Sequence, residues 1–290
     1  MRELLNTISK GKKPIYPPVN KFIAPPVLED DTKCKAMDGD DEPLWILMII
    51  KSKIDNFDIR KAIRSTWGDE YQFAVLPMRR IFVLGIRTRD LQLQREIGIE
   101  SSQYGDIVQY YFEDHYFNNT YKVMAGLKWA RTNCRGPQYI MMVDDDFYVN
   151  THKLRDFLDK PLGGVIAAYV NNNSIPIRQW SSKWYISLEE YPYRFWPAHP
   201  NGGFILMEYK TSYDLLTVLE YLKYLRFDDV LIGIAALKMN VQLKHNDKII
   251  PDPIKYEDEK FFQALAVHGV KSAKVLTEIW KRQISYRRLK

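Results

Sequence analysis

The sequence predicts an α/β protein, a single domain in which a mostly parallel central sheet is flanked by helices. Short apolar runs alternate with helical patterns along most of the 290 residues, and this alternation is typical of parallel strands joined by helices. Hydrophobic residues make up 46% of the chain, which is enough for an ample core. Length alone would also permit two small domains.

The strands are predicted from apolar runs of strand length, bounded by polar or turn-forming residues. In chain order they lie at 44–50, 81–85, 107–112, 139–143, 165–170 and 204–207. The helices are predicted from segments in which apolar residues recur at helical spacing. They lie at 58–67, 120–131, 211–221, 230–239 and 274–282.

Residues 1–42 differ in composition from the rest of the chain. They contain several prolines, which favour extended backbone: Pro14, Pro17, Pro18, Pro25 and Pro26. An acidic, glycine-containing stretch follows at 38–42. We therefore predict a stem or linker over 1–42 and one folded domain over 43–290.

Three consecutive aspartates, Asp144, Asp145 and Asp146, follow the apolar run at 139–143. Adjacent carboxylates at the end of a buried strand repel each other and are costly to desolvate. A bound Mg²⁺ or Mn²⁺ removes most of that cost and can also bind phosphates. Because ligands of open α/β sheets bind outside the carboxyl ends of the strands, the triplet predicts a metal site. The alternative is a solvated acidic turn.

The net charge of +6 comes from basic residues that are scattered along the chain. No long basic stripe appears, so we expect no nucleic-acid partner. A mild basic excess suits an anionic nucleotide substrate or an acidic membrane surface, although a generally basic surface explains it equally well.

No segment near the N-terminus has the apolar pattern of a signal peptide, and the run at 44–50 is too short to span a bilayer. We therefore predict neither a signal peptide nor a membrane anchor in this chain. Two segments, Asn118-Asn119-Thr120 and Asn172-Asn173-Ser174, match the N-glycosylation pattern. That pattern matters only in a secretory compartment.

Two groups of basic residues are candidates for binding phosphate. Arg60 and Arg64 are four residues apart on the first predicted helix, so they share a face and could hold a diphosphate or a uracil edge. Lys122 lies near the start of the next predicted helix, where a helix N-terminus also favours anions. Solvated surface residues are the alternative in both cases.

Further candidates lie in the C-terminal half. Asp228 could cap the helix that follows, and Asp229 could serve as a general base at a cleft. His268 ends an apolar run and could bind a metal, or be an ordinary hydrogen-bonded histidine. Gly202 and Gly203 would allow the backbone to approach a substrate, or simply form a turn.

Many of these residues lie in short blocks that follow one another along the chain. They are RKAIRSTWG at 60–68, FVLG at 82–85, YGDIV at 104–108, DHYFNNTYK at 114–122, DDDFYVN at 144–150, SKWY at 182–185, DDVLIG at 228–233 and VHG at 267–269. In this order they resemble the β-1,3-galactosyltransferase family, inverting UDP-sugar-dependent enzymes that include β-1,3-N-acetylglucosaminyltransferases. The resemblance covers residues 44–283.

The resemblance implies a GT-A-like fold, with 43–290 as the glycosyltransferase catalytic domain. It implies an inverting, metal-dependent hexosyltransferase that moves galactose, N-acetylglucosamine or N-acetylgalactosamine from a UDP-sugar to a glycan hydroxyl on a glycoprotein or glycolipid. The implied linkage is β-1,3, and the implied location is the Golgi lumen or membrane. The oligomeric state is not implied.

The resemblance also implies a role for each candidate. Asp146 and His268 would bind Mn²⁺ or Mg²⁺, and Asp229 would be the catalytic base. The donor would contact Asp144, Asp145, Arg60, Arg64 and Lys122. The sugar or acceptor side would be formed by Trp184, Gly202, Gly203 and Asp228.

The sequence departs from the family pattern at several positions. Asp228 stands where the family has a glutamate, and the loop at 201–203 is slightly shorter than usual. Cysteines that the family often has near Pro200 and Glu259 are absent, which looks like loss of one whole disulfide. We predict that the remaining Cys34 and Cys134 pair and tie the stem to the domain, which requires an oxidising compartment. Two reduced, buried thiols are the alternative.

Two other functions remain open from the sequence. The first is a non-catalytic relative that binds a nucleotide sugar or glycan, or acts as a chaperone for an active enzyme. The second is a metal-dependent phosphohydrolase or nucleotidyltransferase built on the aspartate triplet. It would need further acidic ligands and leaves the other blocks unexplained.

Overall fold

The computed structural model describes residues 1–34, 44–73, 76–134 and 136–290. The strands are β1 Pro26–Leu28, β2 Ile46–Lys51, β3 Met78–Ile86, β4 Ile107–Glu113, β5 Tyr139–Asp144, β6 Phe147–Val149, β7 Ile166–Asn171, β8 His199–Glu208, β9 Leu243–His245, β10 Ile249–Ile250 and β11 Ala266–His268. The helices are α1 Arg2–Ser9, α2 Phe57–Arg64, α3 Leu91–Tyr104, α4 Asn119–Asn133, α5 Thr151–Phe157, α6 Tyr209–Glu220, α7 Asp228–Met239, α8 Asp258–Gln263 and α9 Ala273–Leu289.

An eight-stranded sheet forms the centre of the described chain, in the order β1-β4-β3-β2-β5-β8-β7-β9. The pairings among β4, β3, β2 and β5 are parallel, as is that of β7 with β9. The pairings of β8 with β5 and β7, and of β1 with β4, are antiparallel. The predicted α/β class, with a central sheet flanked by helices, is confirmed, and the sheet is mixed rather than uniformly parallel.

The central strands are buried on both faces, which explains why they read as continuous apolar runs. In β2, Leu47 and Ile49 belong to the core that contains α4, α6 and α7. Their neighbours Met48 and Ile50 point to the opposite face and belong to the core that contains α2, α3 and α9. Strand β8 begins at His199, earlier than its apolar run predicts, because His199 and Pro200 pair with Asn171 and Val170 of β7.

Strand register brings the candidate residues together. Lys51 and Asp144 are directly paired at the ends of β2 and β5. A second, three-stranded sheet has the order β10-β11-β6, and in it His268 pairs with Phe147. Because Phe147 is the residue directly after Asp146, this pairing places His268 next to Asp146.

The described segment before residue 35 packs on the sheet. Phe22 is buried, the Asn20 N–H donates to the Glu220 carbonyl at 2.8 Å, and β1 pairs with β4. The Cys34–Cys134 disulfide, with a Cα–Cα distance of 5.0 Å, confirms the predicted pairing.

The predicted domain boundary at 42/43 lies outside the described residues and stays a prediction. Within the described ranges, no helix combines the length and apolar character that a membrane span requires.

Candidate active site

A cleft of about 750 Å³ opens at the carboxyl ends of the central strands. The end of β2, the triplet after β5, the Gly202-Gly203 segment of β8, the start of α7 and the end of β11 all contribute to its walls. This volume is in the range of small-molecule sites. The sequence-predicted residues that line it are Lys122, Asp144, Asp145, Asp146, Trp184, Gly202, Gly203, Asp228, Asp229 and His268.

Lys51 joins three parts of this cleft. Its side chain is 3% exposed, and its ammonium lies 3.0 Å from the Asp144 carboxylate and 2.7 Å from that of Asp228. It also donates to the carbonyl of Gly202 at 3.0 Å. Burial by itself would lower the pKa of Lys51, but attraction to Asp144 and Asp228 outweighs burial and raises it. Lys51 is therefore a permanent buried cation that links β5, β8 and α7.

Asp144 lies on the cleft side of this ion pair. Its burial raises its pKa, Lys51 opposes that rise, and the nearby charges of Asp228 and Asp146 add to it, with the result at about 6. Asp144 is thus held at the cleft by Lys51.

Asp145 points away from Asp144 and anchors the loop after β2. One of its carboxylate oxygens accepts hydrogen bonds from the Ser52 hydroxyl at 2.7 Å, the Lys53 N–H at 3.1 Å and the Asn56 amide at 2.9 Å. Burial nevertheless raises the pKa of Asp145. Its contacts are mainly structural, although it also borders the cleft.

Arg60 and Arg64, which were expected at the donor, are not among the residues that line the cleft. Arg60 is fully buried, and its guanidinium donates to Glu100 at 2.7 Å and to the Lys53 carbonyl at 2.8 Å. Arg64 pairs with Glu100 and Asp106, both at 2.7 Å. Both guanidiniums bind Glu100 of α3 instead of facing the cleft. Arg60 supports the site indirectly, by fixing the loop that holds Asp145.

Replacing Arg60 with methionine should lower the free energy of unfolding by about 3–5 kcal/mol, because it strips a buried carboxylate of a partner. Chemical denaturation would measure this loss. Arg155→Met is the matched control, since Arg155 pairs with Asp156 on the surface at 2.9 Å and such a pair contributes about 0–1 kcal/mol. Equal losses in the two variants would contradict this assignment.

Asp146 and His268 meet in the cleft, with Oδ2 and Nε2 3.2 Å apart. The hydrogen bond to Asp146 raises the pKa of His268 against the effect of its burial. Among the described residues no group of three or more His, Cys, Asp or Glu side chains is arranged to hold a metal. The two donors still suit a shared ion, because adjacent ligands of an octahedral ion at about 2.1 Å lie about 3 Å apart.

Asp228 and Asp229 begin α7 at the cleft wall. Asp228 pairs with Lys51, whereas Asp229 accepts a hydrogen bond from the Val230 N–H at 2.7 Å. Burial, and next the like charge of Asp228, raise the pKa of Asp229 to about 7. A carboxylate with this pKa is suited to accept a proton near neutral pH.

Gly202 and Gly203 are required by close packing. A Cβ at Gly202 would lie 3.0 Å from the Cβ of Asp229, and one at Gly203 would overlap the Phe147 ring. Both residues also border the cleft.

Lys122 and Trp184 lie at other parts of the wall. The Lys122 ammonium donates to the Ser52 carbonyl at 2.7 Å and to Asp114 at 3.0 Å. Trp184 is 53% exposed, and its indole N–H donates to the Tyr116 hydroxyl at 3.4 Å. The cleft thus has one exposed aromatic rim, which suits the apolar face of a sugar ring.

Sequence reasoning missed Lys51, the residue on which the acidic side chains converge. The signal was present, because a lysine that ends a buried strand sits at the same sheet edge as the aspartate triplet. Asp114, Tyr116 and Lys271 also line the cleft. Asp114 and Tyr116 lie in the block at 114–122 that resembles the family, but that block assigned a role only to Lys122, and Lys271 lies outside all of the blocks.

A model of the galactosyltransferase family matches residues 58–247. The chain belongs to this family. It is 35% identical over 246 residues to the β-1,3-galactosyltransferase brn of Drosophila melanogaster, covering 83% of this chain and 74% of that protein. It is 30% identical over 257 residues to β-1,3-galactosyltransferase 1 of Mus musculus, covering 85% and 76%. The chain is accordingly a glycosyltransferase, with a nucleotide-sugar donor and a glycan acceptor.

Among solved structures, the chain is similar to the galactosyltransferase LgtC in complex with donor and acceptor sugar analogues. The TM-score is 0.40 and the sequence identity 11%, with 81% of this chain and 95% of that chain covered.

Proposed function

We propose that this galactosyltransferase-family member is an inverting, metal-dependent hexosyltransferase with Asp229 as its catalytic base. It would move galactose, N-acetylglucosamine or N-acetylgalactosamine from a UDP-sugar to a glycan hydroxyl and form a β-1,3 linkage. The observation that carries the proposal is the Asp229 carboxyl, half-buried at the cleft wall with a pKa raised to about 7. The names of the relatives support galactose as donor sugar and the β-1,3 linkage.

The reaction is a single displacement. Asp229 accepts the proton of an acceptor hydroxyl as its oxygen attacks the anomeric carbon, and the bond to UDP breaks on the opposite face. An α-linked donor then gives a β-linked product. Asp228 instead forms an ion pair with Lys51 at 2.7 Å and so holds the wall of the cleft. The two aspartates thus have separate roles, one in proton transfer and one in holding the wall of the site.

Asp146 and His268 would bind the metal, with the donor diphosphate supplying further ligands. When bound, Mn²⁺ or Mg²⁺ neutralises the charge that develops on the departing diphosphate. Asp144, Asp145 and Lys122 would border the donor, and Trp184 with Tyr116 would hold the acceptor sugar. The disulfide supports an oxidising compartment, and we propose the Golgi lumen, with 43–290 as the catalytic domain.

The test is acceptor-dependent release of UDP by the purified protein. UDP-galactose, UDP-N-acetylglucosamine and UDP-N-acetylgalactosamine are offered separately with Mn²⁺ and a panel of simple glycosides. We expect release from one donor, with linkage analysis of the product by NMR. Binding of UDP with Mn²⁺ but no transfer from any donor to any acceptor would favour a non-catalytic glycan-binding protein.

Removal of the metal should abolish transfer. EDTA should reduce the rate to background, and added Mn²⁺ should restore it. Without the ion, Asp146 and His268 cannot themselves neutralise the charge that develops on the departing diphosphate. In His268→Ala the Mn²⁺ concentration for half-maximal activity should rise about 10–100-fold, the scale on which altered metal shells lower affinity. His245→Ala, at an exposed histidine outside the cleft, is the matched control. Unchanged activity in EDTA would contradict metal dependence.

A further inference from the structure

The two N-glycosylation patterns of this chain lie in very different surroundings. Asn172 directly follows β7, and its side chain is exposed. The next residue, Asn173, has a φ of 55°, so the chain turns sharply here. Exposed turns of this kind leave room for a bulky oligosaccharide.

Asn118 lies in a closed environment. Its amide donates to the Glu113 carbonyl at 2.8 Å, and it is only partly exposed. The hydroxyl of Thr120, which the pattern requires, donates to the Leu225 carbonyl at 2.8 Å, whereas the corresponding hydroxyl of Ser174 has no hydrogen-bond partner among the described residues. The residue between them, Asn119, lines the catalytic cleft. An oligosaccharide on Asn118 would therefore crowd the entrance to the active site.

We propose that Asn172 carries an N-linked oligosaccharide and that Asn118 does not. The carboxamide nitrogen of Asn172 bonds to the anomeric carbon of an oligosaccharide held on a lipid pyrophosphate. The bond from that carbon to the pyrophosphate oxygen breaks, the lipid pyrophosphate leaves, and one amide proton is lost. The modification shares with the proposed function only the passage through an oxidising secretory compartment, which the disulfide supports.

The surface beside Asn172 gives an independent reason for a sugar coat. Ile175 is 63% exposed, and Trp180 and Leu188 in the same long connection are 84% and 66% exposed. Large exposed apolar side chains that cluster in one segment favour aggregation unless they are covered. A hydrated oligosaccharide three residues from Ile175 shields part of this segment.

The experiment uses the full chain, directed into the secretory pathway of cultured eukaryotic cells by a cleavable signal peptide. The secreted protein is treated with peptide-N-glycosidase F in ¹⁸O water, and each asparagine is examined by peptide mass spectrometry. We expect ¹⁸O incorporation at Asn172 and none at Asn118. Asn172→Gln should lose one oligosaccharide on a gel, whereas Asn118→Gln should leave the number unchanged.

The variant Ser174→Ala tests whether loss of the oligosaccharide could result from misfolding. The Ser174 hydroxyl is buried and has no hydrogen-bond partner among the described residues, so its loss should cost little stability. This variant retains Asn172 but should lose the oligosaccharide, with an unchanged melting temperature after enzymatic deglycosylation of both proteins. An unmodified Asn172 in secreted protein, or a modified Asn118, would overturn the proposal. Because occupancy is measured without an activity assay, the outcome does not depend on the transferase reaction.

Discussion

Replacing Asp229 with asparagine should lower kcat for sugar transfer by about 10²–10⁴-fold, the contribution typical of a general base. Asparagine has nearly the same shape as aspartate but cannot accept the proton of the acceptor hydroxyl. The side chain lies close to Gly202, where a Cβ would be 3.0 Å from that of Asp229, so a substitution that preserves shape is needed. Steady-state UDP release measures kcat, and calorimetry measures UDP binding, which should be unchanged.

Asp159→Asn makes the same chemical change at an exposed position outside the cleft and should leave kcat unchanged. Asp229→Glu retains a carboxylate but moves it by one methylene, so partial activity is expected. A fully active Asp229→Asn enzyme would remove Asp229 from the role of base.

The pH dependence gives a second measure of the same residue. Because burial and then Asp228 raise the pKa of Asp229 to about 7, the protonated, inactive form accumulates below neutral pH. The value of kcat/KM should therefore rise with pH and level off above about pH 7. Asp228→Asn removes the like charge, so it should shift this acid limb to lower pH. A shift to higher pH would contradict the coupling.

Replacing Lys51 with methionine should destabilise the protein by about 3–5 kcal/mol, because it removes the cation from a buried ion-pair network. Two carboxylates, Asp144 at 3.0 Å and Asp228 at 2.7 Å from the ammonium, lose their shared partner. Sugar transfer should fall as well, since these contacts hold both sides of the cleft. Urea denaturation would measure the loss of stability.

The matched control is Lys53→Met. The Lys53 side chain is 61% exposed, and its ion pair with Asp55 lies at the surface, so a loss below about 1 kcal/mol is expected. Combining Lys51→Met with Asp228→Asn removes one of the uncompensated charges and should recover part of the lost stability. No recovery in the double variant would indicate that Lys51 acts by packing and not by charge.

The position of the aspartate triplet at the cleft could be predicted because its signal is local. Three aspartates that follow a buried strand lie at the carboxyl edge of the sheet, where ligands of open α/β sheets bind. Asp146 and His268, in contrast, are 122 residues apart, and only the resemblance to a family joined them before the strand pairing did. Lys51 was missed because its importance depends on two distant partners, Asp144 and Asp228, that converge on it.

The two arginines show why helix periodicity was insufficient. Spacing placed Arg60 and Arg64 on one face, which is correct, but periodicity does not state which neighbour that face contacts. Their partner Glu100 lies on α3, a helix that the sequence did not predict. Its apolar residues are sparse, with Leu93 and Ile97 the main ones buried. Because α3 was not predicted, the binding of both guanidiniums by its Glu100, away from the cleft, could not be predicted either.

The disulfide has a consequence for limited proteolysis. Cys34 follows β1 in the chain, so a cut between Cys34 and β2 would give two fragments that remain covalently joined. The smaller fragment would keep β1 on β4 and so keep that edge of the sheet covered. Reduction would then release it and expose the backbone groups of β4, which can pair with other chains. A nicked molecule is thus expected to stay soluble until its disulfide is reduced.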